Sequence, residues 1–266
     1  MRRSLLILLA CTLALTGSAA AQRRSDQARL SFGLGLGYNG QSKLWRIDGQ
    51  ELLDNNFNKD TATVTRDVRS TIGIAFVGVY YPNDHWGISG EAHLIGIAFV
   101  DGCTLRSNSG SARNQAVCTT LQGQESPGTT VAATVGGIYR PFAWAEVQPY
   151  VRLNAGLLVS QQSAIRMRAT VPSDSTGLLV DYYVYEDPHP ASITPTVAIG
   201  GGMTAFVSRA YQIRFEMKDN IVSLEHVTGT VPLPHETPSS ERKIHHILSL
   251  TIGLEVVLER KRGRRY

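Results

Sequence analysis

Leu248-Ser249-Leu250-Thr251-Ile252-Gly253-Leu254-Glu255-Val256-Val257-Leu258 alternates along its whole length. Every even position is Leu, Ile or Val, and the odd positions are Ser, Thr, Gly, Glu and Val. Side chains of a strand point by turns to its two faces, so this run predicts a β-strand with one wholly apolar face and one small or polar face. The same period recurs upstream. Tyr211 to Lys218 sets apolar residues against Gln212, Arg214, Glu216 and Lys218. Leu30 to Tyr38 alternates large apolar residues with Ser31, Gly33, Gly35 and Gly37, and Pro149 to Ser160 alternates Val151, Leu153, Ala155, Leu157 and Val159 with Arg152, Asn154 and Gly156. Ser70 to Tyr81, Gly87 to Val100, Thr130 to Tyr139 and Thr194 to Phe206 follow the pattern less strictly. Eight strands are therefore predicted. No segment combines an apolar stripe at three-and-four spacing with end caps, so no helix is expected.

Alternation alone would also suit a soluble, half-buried sheet. The connections separate the two cases, because they run long, short, long, short, long, short, long. The short ones are Pro82 to Trp86, Pro141 to Gln148 and Val207 to Ala210; the long ones are Asn39 to Arg69, Asp101 to Thr129, Gln161 to Ile193 and Ile221 to Ile244. Short periplasmic turns alternating with longer external loops characterise an outer-membrane barrel with an even strand number and both termini on the periplasmic side. The reading is an all-β, eight-stranded antiparallel up-and-down transmembrane barrel. Within the third long connection, Gln162 to Tyr185 could extend the fifth and sixth strands beyond the membrane. About ten residues at about 3.3 Å each, tilted by roughly 40°, cover about 25 Å, the height of the apolar band of such barrels. No strand edge can face lipid, so the last strand must pair with the first.

Aromatic residues fall beside the short turns. Tyr80, Tyr81, Trp86, Tyr139, Phe142, Trp144, Tyr150, Phe206 and Tyr211 would gather into one belt at the periplasmic interface, where amphipathic rings prefer to sit. Tyr38 and Phe99 are the candidates at the opposite rim.

The N-terminus reads as an export signal: Arg2-Arg3, an apolar stretch from Leu5 to Leu15, and the small residues Ser18 to Ala21 before a cut after Ala21. This divides the chain into a signal peptide (1–21), the barrel (22–260) and a basic tail (261–266). Cys11 falls inside the discarded signal. Cys103 and Cys118 remain, and in an oxidising envelope they are expected to pair. The formal net charge of +4 owes much to Arg2, Arg3 and the tail. Without a broad basic face interleaved with aromatics, nucleic acid is not an expected partner.

By face, Glu91, His93, Arg152, Arg214, Glu216, Lys218 and Glu255 should point into the lumen. An eight-stranded barrel is only just wide enough for its side chains to fill. Charges held there must pair, so Arg152, Arg214, Glu91, Glu216 and Glu255 are read as a salt-bridge plug, with a gated ion path as the alternative. His245 and Ser249 share a luminal face, which does not suit attack on a lipid ester. The spacings of His226, His235, His245 and His246 match no zinc signature. No cofactor, metal or catalytic group is expected.

With the strands placed, the chain resembles the small outer-membrane β-barrel family that includes the OmpA transmembrane domain and OmpX. The resemblance rests on Arg214-Phe215-Glu216-Met217-Lys218-Asp219-Asn220 and on the closing Thr251-Ile252-Gly253-Leu254-Glu255-Val256-Val257-Leu258, which is similar to the signal read by the barrel-assembly machinery. Many members end that strand on an aromatic, where this chain has Leu258. The resemblance implies lipid and the assembly machinery as partners and a monomer in the outer membrane. It does not choose among adhesins, small channels, lipid-modifying enzymes and inert anchors, because one fold hosts them all. A structural or surface-binding protein is the expectation; a small channel for ions or hydrophobic solutes comes second and a lipid-modifying enzyme third. The purified protein should need detergent and should migrate differently on a gel when folded and when boiled. A monomer that stays in solution without detergent contradicts the barrel.

Overall fold

A computed structural model describes residues 28–54, 58–107, 109–173, 176–188, 191–208 and 210–260. The expected signal peptide and the basic tail lie outside the described residues. Along the chain come β1 (Ala28–Asn39), β2 (Ser42–Leu53), β3 (Lys59–Val68), β4 (Thr71–Tyr80), β5 (Trp86–Leu105), α1 (Ala112–Leu121), β6 (Glu125–Tyr139), β7 (Val147–Ser160), β8 (Met167–Pro172), β9 (Leu179–Tyr185), β10 (Ser192–Phe206), β11 (Tyr211–Val227) and β12 (Ser240–Arg260). Eight of the strands close an antiparallel ring in the order β1, β4, β5, β6, β7, β10, β11, β12 and back to β1. Each of the eight stretches predicted from alternation lies on one of these ring strands to within a few residues. Pairing of Leu34 with Leu254 and of Gly35 with Gly253 joins the ends of the ring.

Alternation sets which side each residue faces. Phe32, Leu34, Leu36, Phe76, Val151, Leu153, Leu250, Ile252 and Leu254 are exposed on the outside, while Ser31, Glu91, Arg152, Asn154, Arg214 and Glu255 are buried inside. A wall that is apolar outside and polar inside inverts a soluble barrel and matches a bilayer as the outer solvent.

The aromatic end of the ring is simpler than expected. Tyr80, Trp86, Phe142, Trp144 and Tyr211 are exposed there, with Tyr139 and Phe206 half-buried. The Trp86 ring lies 4.6 Å from that of Tyr139. Tyr81 and Tyr150 do not join the belt, which corrects the sequence reading. Tyr81 follows the inward parity of Ala75, Val77 and Val79, and Tyr150 that of Arg152 and Asn154; both are buried in the lumen. Phe99, expected at the other rim, is likewise inside.

The larger correction concerns the external connections. β5, β11 and β12 contain 20, 17 and 21 residues, about twice what the apolar band requires. Their outer halves carry a folded cap. Beyond the membrane β3 replaces β4 beside β5, in a register from Val68↔Phe99 to Ala62↔Leu105. Gln162 to Tyr185 does not prolong β7 and β10, since β8 and β9 form a separate two-stranded sheet. The interior of the cap is apolar: Leu44, Trp45, Leu52, Val64, Phe99, Leu121, Met167, Tyr185, Leu224 and Val231 are buried in one cluster with Ile95, Ile97, Leu158 and Ile247 from the upper wall.

The helix α1 was not expected. Its buried stripe is Asn114, Val117, Cys118 and Leu121. The spacing is helical, but an amide and a cysteine occupy half of it, so no apolar periodicity is visible. Each of the two has a tertiary reason. Asn114 Nδ2 donates to Asp60 Oδ2 (2.8 Å), and Cys118 is disulfide-bonded to Cys103 at the end of β5, with Cα atoms 5.0 Å apart. Ser111 caps the helix by accepting from the Asn114 backbone N–H (3.3 Å). Burial works to raise the Asp60 carboxyl, but hydrogen bonds from Asn114 and Ser109 outweigh it and hold the group below its ordinary value. Closing a loop of this length with a disulfide stabilises by about 3 kcal/mol in the chain-entropy description.

Within the apolar cap sits a buried charged pair. Arg66 Nε and Nη2 donate to Asp101 Oδ1 and Oδ2 at 2.6 and 2.9 Å, and Nη1 donates to the Ser163 carbonyl (3.3 Å). Both side chains are 1% exposed, and the guanidinium lies 5.1 Å from the Phe99 ring centre. Removing one partner leaves the other charge buried and unpaired, at a cost of about 3–5 kcal/mol. Asp101→Ala should therefore lower the cap's resistance to denaturant by about that amount. The double replacement Arg66→Met with Asp101→Leu should recover most of it. Unfolding curves followed by Trp45 emission test both, and a harmless Asp101→Ala contradicts the account.

Candidate functional site

All seven residues placed in the lumen by alternation are there. They come from four ring strands: Glu91 and His93 from β5, Arg152 from β7, Arg214, Glu216 and Lys218 from β11, and Glu255 from β12. Their side chains form one continuous network. Arg152 bridges Glu91 and Glu216, and Lys218 also holds Glu91. Arg214 donates through Nε to Glu216 Oε2 (3.0 Å) and through Nη1 to Glu255 Oε1 (2.6 Å). Tyr150 donates its hydroxyl to Glu216 Oε2 (2.7 Å) and lays its ring under the Arg214 guanidinium, 4.5 Å away. Glu255 Oε2 takes Ser31 (3.2 Å) and Gln212. His93 Nδ1 stands 3.7 Å from Glu91 Oε1.

Two counts decide what this arrangement can do. Three cations (Arg152, Arg214, Lys218) face three carboxylates, so the network is neutral with His93 uncharged. All six carboxylate oxygens have a partner, which is the condition for keeping such charges out of water. Alternation identified the charged members; Tyr150 was read into the belt from its place beside a short turn, although the parity it shares with Arg152 and Asn154 was available to correct that.

Space is nearly exhausted. The void among Glu91, Arg152, Arg214, Glu216 and Glu255 measures about 10 Å³, as does the one below it beside Tyr81, Arg140 and Gln212. Each has room for about one water molecule. The glycines of β1 make this filling possible. A Cβ on Gly33 would stand 2.5 Å from Glu255 Cγ, and one on Gly35 2.9 Å from Thr251 Cγ2. Above the charges comes a neutral layer. Ser249 donates to Asn39 Oδ1 (2.6 Å) and accepts from Asn220 Nδ2 (2.7 Å). Ser249 is thus fully engaged inside the wall. His245 is buried on the same face, whereas His246 points out and meets Asp219 Oδ2 at 2.6 Å. Among the described residues no group of three or more His, Cys, Asp or Glu side chains could hold a metal ion.

The cap offers a second, external feature. On the outer face of β2, β3 and β5 lies a groove of about 250 Å³ lined by Arg46, Thr63, Thr65, Thr104, Arg106 and Gln122. Asp48 organises it, accepting from Arg106 Nη2 and Thr63 Oγ1 (both 2.7 Å) and from Arg46. Hydrogen bonds from Thr63 and Arg46 hold the Asp48 carboxyl below its ordinary value. Nothing in the alternation pattern announces this groove, because it belongs to stretches read as loops.

A closed eight-stranded ring, apolar outside and filled with paired charges inside, defines a small outer-membrane β-barrel. No protein-family model matches the sequence, and no curated protein matches it significantly. Solved structures that resemble it include Neisserial surface protein A, 8% identical over 86% of this chain and 97% of that one (TM-score 0.43). Others are the outer membrane protein OprG from Pseudomonas aeruginosa, 12% identical over 87% and 97% (TM-score 0.42), and outer membrane protein AlkL, 10% identical over 91% and 95% (TM-score 0.41). At these identities no residue or role carries over.

Glu216→Ala should be the most disruptive single change in the lumen, since it takes a partner from Arg152, Arg214 and Tyr150 at once and leaves the buried network one negative charge short. The expected loss is about 3–5 kcal/mol, read from guanidinium unfolding of the refolded barrel in vesicles. A loss below about 1 kcal/mol would show that the network is not closed.

Proposed function

We propose that this chain is a monomeric, non-conducting outer-membrane anchor, with termini in the periplasm, that presents a folded cap for contact outside the cell. It acts as a structural or binding protein rather than an enzyme. The observation that carries the reading is that the lumen is filled twice over. Neutralised charges with water-sized voids occupy the lower half, and the apolar core of the cap covers the upper half. An ion crossing the barrel would have to displace paired side chains and then enter an apolar core, and each step is costly. The cap groove, with two arginines held by Asp48 beside a row of threonines, is the concave polar surface offered to a partner. The closing strand supplies the signal for insertion by the assembly machinery, and the exposed apolar wall contacts lipid.

Planar-bilayer recording of the purified protein should give no steady single-channel steps. Such steps would overturn the closed lumen and favour the channel. Cells carrying the protein should attach to surfaces or host material more than cells carrying Arg46→Ala with Arg106→Ala, at equal heat-modifiable protein. Equal attachment would overturn the assignment of the groove.

A further inference from the structure

Asp60 of β3 is a carboxylate without a counter-charge. It is fully buried in the cap, at 0% exposure, and the groups that meet its two oxygens are neutral. Oδ1 takes the Ser109 N–H (2.5 Å), and Oδ2 takes the Ser109 hydroxyl and Asn114 Nδ2 (both 2.8 Å). Burial works against its charge, but these bonds outweigh it and keep the group ionised. Folded proteins bury charges against an opposite charge or against a metal ion. What acts on Asp60 instead is a second carboxylate, Asp54, whose like charge opposes its own. Asp54 is buried at the end of the β2–β3 hairpin and accepts from the Asn58 N–H and Nδ2 (both 2.8 Å). Asn114 of α1 closes the group from the other side and is itself 0% exposed. Its Nδ2 meets three oxygens, Asp60 Oδ2 and the carbonyls of Leu52 (3.3 Å) and Asn58 (3.4 Å), one more than it has hydrogens for. Its own Oδ1 is buried without a partner.

We propose that these groups form a calcium site, in which Asp54 and Asp60 supply the charge and the Asn114 amide oxygen and the Leu52 and Asn58 carbonyls complete the protein's share of the oxygen shell. Two carboxylates and one divalent ion come to zero net charge, which removes the cost of burying Asp60 unpaired. The two ends of an asparagine amide have nearly the same shape. Turned over, Asn114 brings its orphan Oδ1 to the place of Nδ2, beside the Asp60 oxygen and the two carbonyls. Four acceptors gathered in this way are stable only around a cation. The donor set selects the ion. Carboxylate, amide and backbone oxygens in an irregular arrangement are what calcium accepts, with six to eight ligands including water. Magnesium demands a near-ideal octahedron and sheds water reluctantly, and zinc prefers nitrogen and sulfur. Arg113, next to Asn114, lies over the Tyr182 ring at 5.5 Å and makes no bond to Asp60. The bound ion would tie α1 to the end of the β2–β3 hairpin. The inference stands apart from the closed lumen and from the outer groove, because it uses the residues of neither.

Calorimetric titration tests it. Full-length protein, stripped with a chelator and refolded into non-ionic micelles, is titrated with calcium chloride. One ion per chain should bind with a dissociation constant of about 0.1–1 mM, the range of extracellular calcium modules. Magnesium chloride should bind about ten-fold more weakly or worse. Asp60→Asn and Asn114→Ala should each weaken calcium binding about ten-fold or more. Glu51→Gln removes a nearby carboxylate that faces Lys59 on the outside (2.9 Å) and should leave the affinity unchanged. In hydrogen exchange on the wild type, calcium should raise amide protection over residues 52–54, 58–60 and 109–114 and leave the ring strands as they were. No binding up to about 10 mM, a decade above that range, overturns the site. So does an Asp60→Asn protein that binds like wild type, or a Glu51→Gln protein weakened as much as Asp60→Asn. Should Asp60→Asn and Asn114→Ala both fail to give the heat-modifiable band, wild-type exchange decides alone. Protection gained over those three segments supports the site, and protection unchanged there or gained elsewhere overturns it.

Discussion

Three carboxylates and three cations share a lumen with almost no room for water, and each must find its partners within it, on its own strand, on the next one or across the barrel. Glu91, Arg152, Glu216 and Glu255 stand on four different strands, so the pairing works only if all four ladders are in register. A slip of one residue would turn Glu255 or Arg214 into the lipid and bring an apolar side chain into the network. The charges therefore specify the barrel more sharply than the apolar wall does, since lipid accepts any greasy residue at any height. They also set the composition of β1. Its inward face is Ser31, Gly33, Gly35, Gly37 and Asn39, a strip without bulk because Glu255 and Thr251 from the neighbouring strand occupy the space.

The strands change character along their length, and the solvent explains why. In β5, Glu91 and His93 face inward while Ile88 and Leu94 face outward; farther along, Ile95, Ile97 and Phe99 face inward. The period of two never breaks. What inverts is the environment: inside the bilayer the outer face must be apolar, and beyond it the outer face meets water, so the apolar residues move to the inner face. The boundary falls near Asn39, Ser249 and Asn220, whose mutual hydrogen bonds separate the charged half of the lumen from the apolar half.

This inversion also explains which parts of the molecule could be read from the sequence. The ring strands and the inward charges were legible, because a period of two with unlike faces is a local signal. The cap was not. β2 and β3 bury residues such as Trp45, Gln50, Asp60 and Arg66, whose polar atoms find partners across the fold, so their faces do not look apolar, while β8, with Met167, Ala169 and Val171 buried, alternates for only six residues. The stripe of α1 is hidden for the same reason, two of its four positions being Asn114 and Cys118. Tyr81 and Tyr150 show the opposite error. Position beside a turn suggested the belt, while strand parity, the stronger constraint, put both in the lumen.

The cap and the barrel are held by different means. Below Asn39 the ladder is unbroken, and opening it would expose backbone to hydrocarbon. Above that point the cap has its own cohesion: the Cys103–Cys118 bond, the Arg66–Asp101 pair and a continuous apolar cluster. Its attachment differs from side to side. Toward β5 it is a full ladder through β3, whereas toward β11 and the segment after it there are a few side-chain bonds to the edge of β2. A unit that is cohesive within is thus joined to the barrel by a ladder on one side and, on the other, by the few bonds that His226 and Gln50 make.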